Sequence, residues 1–302
     1  MKDLVKYGVS FTRDENGDFV YTREGAHAHH RILFHEDITG KEITSHLLNA
    51  VKKLKNVRMY EYTTLLDIFC DGSKCCGGII RWPDGREEQV EADYVILATG
   101  GIGGTYKHST NFKHLTGDGV EIARRHNIEL KNLDYVQIHP TTLYSDNKEE
   151  RSFLISESVR GEGARLYDKN MNRFVDELLP RDLLTQEIYK QMEKDGTDFV
   201  WEDLRTIPRD ELISHFPNII EHCSQAGYDV FHECIPIVPA QHYFMGGIKV
   251  NHNSKTSMDH LYAVGETACN GVHGKNRLAS NSLLESLVFA KRAAKEIAGE
   301  RR

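Results

Sequence analysis

The run Ala92-Asp93-Tyr94-Val95-Ile96-Leu97-Ala98-Thr99-Gly100-Gly101 constrains the fold more than any other segment. Residues 94–98 are continuously apolar, with no polar alternation, as in a strand covered on both faces. Such strands belong to parallel sheets flanked by helices. The strand ends in Thr-Gly-Gly, and glycine lets the backbone approach a ligand at the carboxyl edge of such a sheet. A plain tight turn has the same local spelling, so the run alone specifies a sheet type and not a site.

The surrounding chain fits an α/β protein. Residues 41–54 space Ile43, Leu47, Leu48, Val51 and Leu54 at helical intervals, with Thr39 or Gly40 opening the helix. Short strands are expected over 18–21, 58–62, 65–70 and 78–82, with Pro83-Asp84-Gly85 as a turn. A helix is expected over 117–126. Two amphipathic helices follow Pro180 and Pro208, and a last helix runs over 281–298 with Leu284, Leu287, Val288 and Ala294 among its apolar positions. Gly-Gly-Ile-Lys-Val (246–250) and Leu-Tyr-Ala-Val-Gly-Glu (261–266) read as further strands.

Bulk properties exclude several classes. A length of 302 residues allows one large or two smaller domains, and 39% hydrophobic with 27% charged residues is ordinary for a globular protein. A net charge of -7 without a run of Lys and Arg argues against a nucleic-acid partner. A small anionic substrate would then need a local basic pocket. The six cysteines form no C-x-x-C pair and no disulfide framework, which points to a reducing cytoplasm. No apolar run approaches the ~20 residues needed to cross a bilayer, and residues 1–17 contain no apolar signal core, so no membrane partner is expected.

Several motifs have chemical potential. Leu261–Glu266 is a strand ending in Gly-Glu, where a carboxylate could meet a ribose or ribityl hydroxyl. Asn276-Arg277-Leu278-Ala279-Ser280-Asn281-Ser282-Leu283-Leu284-Glu285 places small polar residues at the start of a long helix. A helix N-terminus suits an anionic or electron-rich group, although Ser280 or Asn281 could be a simple cap. His139 precedes Pro140, which holds its backbone extended. Ser156 and Glu157 precede Arg160-Gly161-Glu162-Gly163, Pro180-Arg181-Asp182 precedes a helix, and Gln241-His242-Tyr243 precedes two glycines. Two histidines, a hydroxyl and two arginines, Arg181 and Arg277, suit the grip of two carboxylates. Each of these residues taken singly also reads as structural. In His27-Ala28-His29-His30, alternate histidines of a strand share a face, but no second ligand cluster has matching spacing, so no metal site is expected.

In order along the chain stand A-T-G-G, T-G-D-G, Q-x-H-P-T, S-E-S-x-R-G-E-G-A, P-R-D, P-A-Q-H-Y-x-x-G-G, G-E and H-G-x-N-R-L-A-S-N-S-L-L-E. This series resembles the flavoprotein family of succinate dehydrogenase, fumarate reductase and L-aspartate oxidase, over nearly the whole chain. Thr22-Arg23-Glu24-Gly25-Ala26-His27-Ala28-His29-His30-Arg31-Ile32 is most similar to the L-aspartate oxidase group. The resemblance implies a discontinuous, Rossmann-like FAD-binding domain (residues 1–131 and 245–302), incomplete at its start. A capping α+β domain (132–244) would be inserted in it.

The activity so implied is oxidation of L-aspartate to iminoaspartate, with O2 or fumarate as acceptor, at the head of the route to quinolinate and NAD. Quinolinate synthase is then an implied functional partner. Arg181 resembles the proton-shuttling residue. Arg277, His139, His242 and Ser156 resemble the carboxylate binders, with Ser156 where relatives often carry Thr. Gln137 and Glu24 would flank the substrate amine, and succinate has no ammonium for Glu24 to pair with. Glu266, Asp118, Ser282 and Leu283 resemble flavin contacts, and Thr64 and Leu65 the adenosine contacts.

The family's initial G-x-G-x-x-G and its C-terminal helical domain have no counterpart in these residues. Weak FAD binding by the chain alone is therefore expected. A fumarate reductase or succinate dehydrogenase subunit, or an inactive remnant, are the alternative readings.

Overall fold

The computed structural model describes residues 2–22, 27–147 and 151–300. In chain order the first elements are α1 (Lys2–Lys6), β1 (Tyr21–Thr22), β2 (Ile32–Leu33), α2 (Thr39–Lys52), β3 (Thr64–Asp71), β4 (Lys74–Arg81), β5 (Glu87–Glu91), β6 (Val95–Leu97), α3 (Asp118–Arg125), β7 (Leu130–Lys131) and β8 (Val136–Leu143). Then come α4 (Glu157–Gly161), β9 (Arg165–Tyr167), α5 (Arg181–Asp195), β10 (Val200–Asp203), α6 (Arg209–His215), α7 (Pro217–Gln225), β11 (Ile235–Phe244), β12 (Gly247–Lys249), β13 (Leu261–Ala263), β14 (Ala268–Cys269) and α8 (Asn281–Glu300). The chain divides into two units. The first comprises Met1–Arg58, His139–Lys148 and Ser152–Ala240; the second comprises Met59–Ile138, Glu149–Arg151 and Gln241–Arg302.

In the second unit β6 pairs in parallel with β13, Val95 opposite Leu261 and Leu97 opposite Ala263. Leu97, Leu261 and Ala263 pack with Ile68, Ile122, Ala123 and Ile248 into one core. The parallel pairing follows from the apolar spelling of both strands. Ile96, however, is 46% exposed. Among the described residues β6 has only β13 beside it, and the alternating pleat turns Ile96 out of the core. The antiparallel sheet β3-β4-β5 turns at Gly85, whose φ of 85° supplies the left-handed residue of the expected turn. Residues 58–62 are not a strand. Tyr62 has φ 56° and is exposed, which breaks the extended backbone.

The last helix forms as expected, but a different face is buried. Glu285, Phe289 and Ala293, four residues apart, face inward, while Leu284 and Val288 are exposed. An acidic residue on the buried seam is the first sign that this helix has a polar task.

The first unit contains a sheet in the order β8-β11-β10-β9, with β10 antiparallel to β9 and β11. Ile155, Val159, Leu166, Leu184, Ile188, Ile235 and Ile237 fill its core. Helix α5 starts directly after Pro180 and stops at Gly196 in the left-handed region, φ 64°. The expected single helix after Pro208 is two, α6 and α7. Pro217 has no N–H for an internal helical bond, and its ring is accommodated at the first position of a new helix.

One buried residue of this unit has a measurable cost. Glu202 on β10 is completely buried, and neither carboxylate oxygen has a hydrogen-bond partner among the described residues. Burial pushes its carboxyl up to about 8, outweighing the attraction of the buried Arg160 guanidinium. The folded chain therefore holds this proton more tightly than the unfolded chain. The stability it contributes is lost as pH rises from the ordinary carboxylate range through about 8. Glu202→Gln keeps the size and stays neutral. Its melting temperature should match the parent at pH ~5 and exceed it by several degrees at pH ~9, as a penalty on the order of a few kcal/mol is relieved. Thermal melts at both pH values test this, and equal melting temperatures at high pH would show that the carboxyl ionises freely.

Candidate active site

The flavin-contact candidates cluster at the carboxyl ends of the parallel pair. Strand β6 continues into Gly100, φ 75°, and β13 into Gly265, φ 69°, both in the region that glycine adopts without strain. A Cβ on Gly101 would clash with Glu266 Oε1, and one on Gly119 would clash with Thr99 Oγ1. The Thr99 hydroxyl donates to Thr267 Oγ1 at 2.9 Å. These contacts join the loop after β6, the turn after β13 and the start of α3. Glu266 is half-buried and accepts from the Phe244 N–H at 2.8 Å. Burial pushes its carboxyl up to about 7, so near neutrality it both donates and accepts.

Asp118 is the first residue of α3, exposed, and accepts from the Thr116 hydroxyl at 2.8 Å. Ser282 and Leu283 lie in the first turn of the 20-residue α8, both half-buried. Glycine-edged strand ends, a carboxyl that is both donor and acceptor, and a long helix N-terminus form a donor set that fits FAD. Glu266 is suited to a ribityl or ribose hydroxyl, and the backbone N–H groups opening α8 to the electron-rich end of the flavin. Thr64 and Leu65 stand apart in type: they open β3, opposite Arg81 and Ile80, with Thr64 exposed and Leu65 packed on the core.

The same unit holds part of the candidate substrate set. His242 Nδ1 is 2.8 Å from Thr110 Oγ1, which orients the imidazole. Arg277 is 5% exposed, and its guanidinium carbon lies 4.6 Å from the centroid of the Tyr243 ring. Gln137 is buried, and its amide donates to Asn276 Oδ1 and to the Arg277 carbonyl, both at 2.7 Å. It thus has a task invisible in the sequence: it pins the backbone that presents Arg277.

The first unit holds the rest. His139 is 1% exposed on β8, with Nδ1 3.2 Å from the Thr141 nitrogen and 3.0 Å from its carbonyl oxygen. Ser156 caps α4, its Oγ accepting from the Ser158 N–H at 3.3 Å. Arg181 is the first residue of α5 and donates through Nε to Glu157 Oε2 at 2.6 Å, with Nη2 at the same distance from that oxygen. Glu157 is named within the S-E-S-x-R-G-E-G-A motif without a role, and the structure pairs it with Arg181. It stands beside the expected Ser156, but its spacing from Arg181 in sequence carries no sign of the pairing. The sequence-predicted Glu24 lies outside the described residues.

A family model described as FAD binding domain matches residues 1–283. The L-aspartate oxidase of Clostridium perfringens is 52% identical over 294 residues, covering 97% of this chain and 66% of that protein. The L-aspartate oxidase of Clostridium acetobutylicum is 48% identical over the same length, covering 97% of this chain and 68% of that protein. Among solved structures, a quinol fumarate reductase chain of E. coli superposes with a TM-score of 0.90 at 31% identity, covering 98% of this chain and 54% of its own. A quinol-fumarate reductase determined with menaquinol gives 0.92 at 33% identity, covering 100% and 56%. This chain thus spans about two thirds of the two Clostridium oxidases and about half of the reductase chains. The chain belongs to the FAD binding domain family of flavoproteins and, within it, to the L-aspartate oxidase family.

Proposed function

We propose that the protein oxidises L-aspartate to iminoaspartate with FAD, O2 or fumarate taking the electrons, as the first step of quinolinate and NAD synthesis. The observation that carries this reading is the 52% identity to an L-aspartate oxidase over 97% of the chain. Bound FAD supplies the acceptor for the hydride leaving C2 of the substrate. The chain's own residues do the rest. Arg277, His242, His139 and Ser156 bind the two carboxylates and so orient C2. Glu24 pairs with the substrate ammonium. Arg181, held by Glu157, gives a proton to carbon when fumarate is reduced and regains it through that carboxylate. Residues 132–244 make up the capping domain of this reading.

No described helix is long and apolar enough to cross a membrane, and we place the reaction in the cytoplasm. The unstable imine product makes quinolinate synthase the natural consumer. The likeness to quinol fumarate reductases favours one rival, a fumarate reductase. Steady-state assays of the FAD-loaded protein separate the two. Peroxide formation or fumarate reduction driven by L-aspartate is expected; turnover of succinate with none of L-aspartate would overturn the proposal.

A further inference from the structure

The most connected buried carboxylate of the second unit is Glu285, in the second turn of α8 and 4% exposed. Three donors converge on it. The Tyr243 hydroxyl donates to Oε2 at 2.5 Å, His273 Nε2 lies 2.8 Å from the same oxygen, and the Asn270 amide donates to Oε1. His273 and Glu285 form a close pair whose side chains are 5% and 2% exposed. Such a site is costly unless the charge is fully solvated by the protein, and three donors supply that.

Its connections lead to the candidate substrate arginine. The Tyr243 ring meets the His273 ring edge-on at 5.5 Å and carries the Arg277 guanidinium on its face at 4.6 Å. A phenol that donates to a carboxylate becomes more electron-rich, and its face then attracts a desolvated guanidinium more strongly. Gln137 holds the Arg277 backbone, and the guanidinium lies on the Tyr243 face with Nη1 also donating to the Leu278 carbonyl at 3.4 Å.

We propose that Glu285 is a positioning residue that sets Arg277 for the substrate carboxylate through the ring of Tyr243. The proposal rests on the reading of Arg277 as a carboxylate binder. It assigns a function to a residue that otherwise only anchors a helix.

The test uses the oxidised, FAD-loaded protein titrated with fumarate, with binding read from the visible flavin spectrum and FAD content measured separately. Arg277→Ala tests the underlying reading and should weaken fumarate at least a hundredfold; intact binding would overturn both readings. Glu285→Gln should weaken fumarate about tenfold, with FAD content unchanged and kcat at saturation within threefold. Tyr243→Leu should do the same. The double variant should be no weaker than the worse single variant by more than twofold, because both act through one contact. Fumarate affinity within twofold of the parent in Glu285→Gln, or effects that multiply in the double variant, would overturn the proposal while leaving Arg277 in place. Should Glu285→Gln not fold, Asn270→Ala keeps the charge and removes one donor; it should weaken fumarate about threefold, and an unchanged affinity overturns the proposal.

Discussion

Arg181→Gln should lower fumarate reduction by about a thousandfold in kcat while weakening fumarate binding no more than about tenfold. The size follows from the role proposed for Arg181: a positioned acid in the transition state contributes roughly 10²–10⁴ in rate. The geometry supports placing that role here. Two nitrogens of the Arg181 fork meet one oxygen of Glu157 at 2.6 Å, and both side chains are about nine-tenths buried, so the guanidinium is held in one orientation at the start of α5. Glutamine keeps a donor and loses both the charge and the transferable proton. Lysine restores the charge without the fork and should recover only part of the loss. Steady-state fumarate reduction, with fumarate affinity measured on the oxidised protein, separates the two effects. A kcat within tenfold of the parent would remove Arg181 from the proton path.

Glu24→Gln should lower kcat/KM for L-aspartate about a hundredfold and leave fumarate reduction within about threefold. Aspartate carries an ammonium that fumarate and succinate lack, and a carboxylate–ammonium pair in a closed site contributes a few kcal/mol, about two orders of magnitude in affinity. Removing the negative charge therefore harms one substrate selectively. The ratio of the two activities is the measurement. Equal losses on both substrates would assign Glu24 a general structural role and leave the amino-acid preference to other residues.

What the sequence reveals is local, and what it conceals is tertiary. The apolar run 94–98 announces a parallel strand because both faces spell the same message, and β6 pairs in parallel with β13. The start of α8 at Asn281 and of α5 at Arg181 are written in capping and proline signals that act within a few residues. Ile96 departs from the buried reading because exposure depends on how many strands flank β6, which the run itself does not encode. Pro217 splits the helix expected after Pro208, a stop signal overlooked because the apolar spacing continues across it.

The site shows the same division. Arg181, Arg277, His139 and His242 stand out as residue types suited to carboxylates. Glu157, Tyr243 and Glu285 do not, because an acid or a tyrosine on an amphipathic helix or strand is ordinarily read as solvent-facing. Their meaning comes from partners 24, 34 and 42 residues away: Arg181 for Glu157, Arg277 for Tyr243 and Tyr243 for Glu285.

An anaerobic half-reaction tests L-aspartate oxidation by the flavin most directly. The FAD-loaded protein is mixed with L-aspartate without oxygen, and the flavin absorbance in the visible is followed in time. Complete bleaching is expected with L-aspartate, with iminoaspartate or its hydrolysis product oxaloacetate formed in equal amount, and recovery of absorbance on adding fumarate. Bleaching by succinate but not by L-aspartate would contradict it.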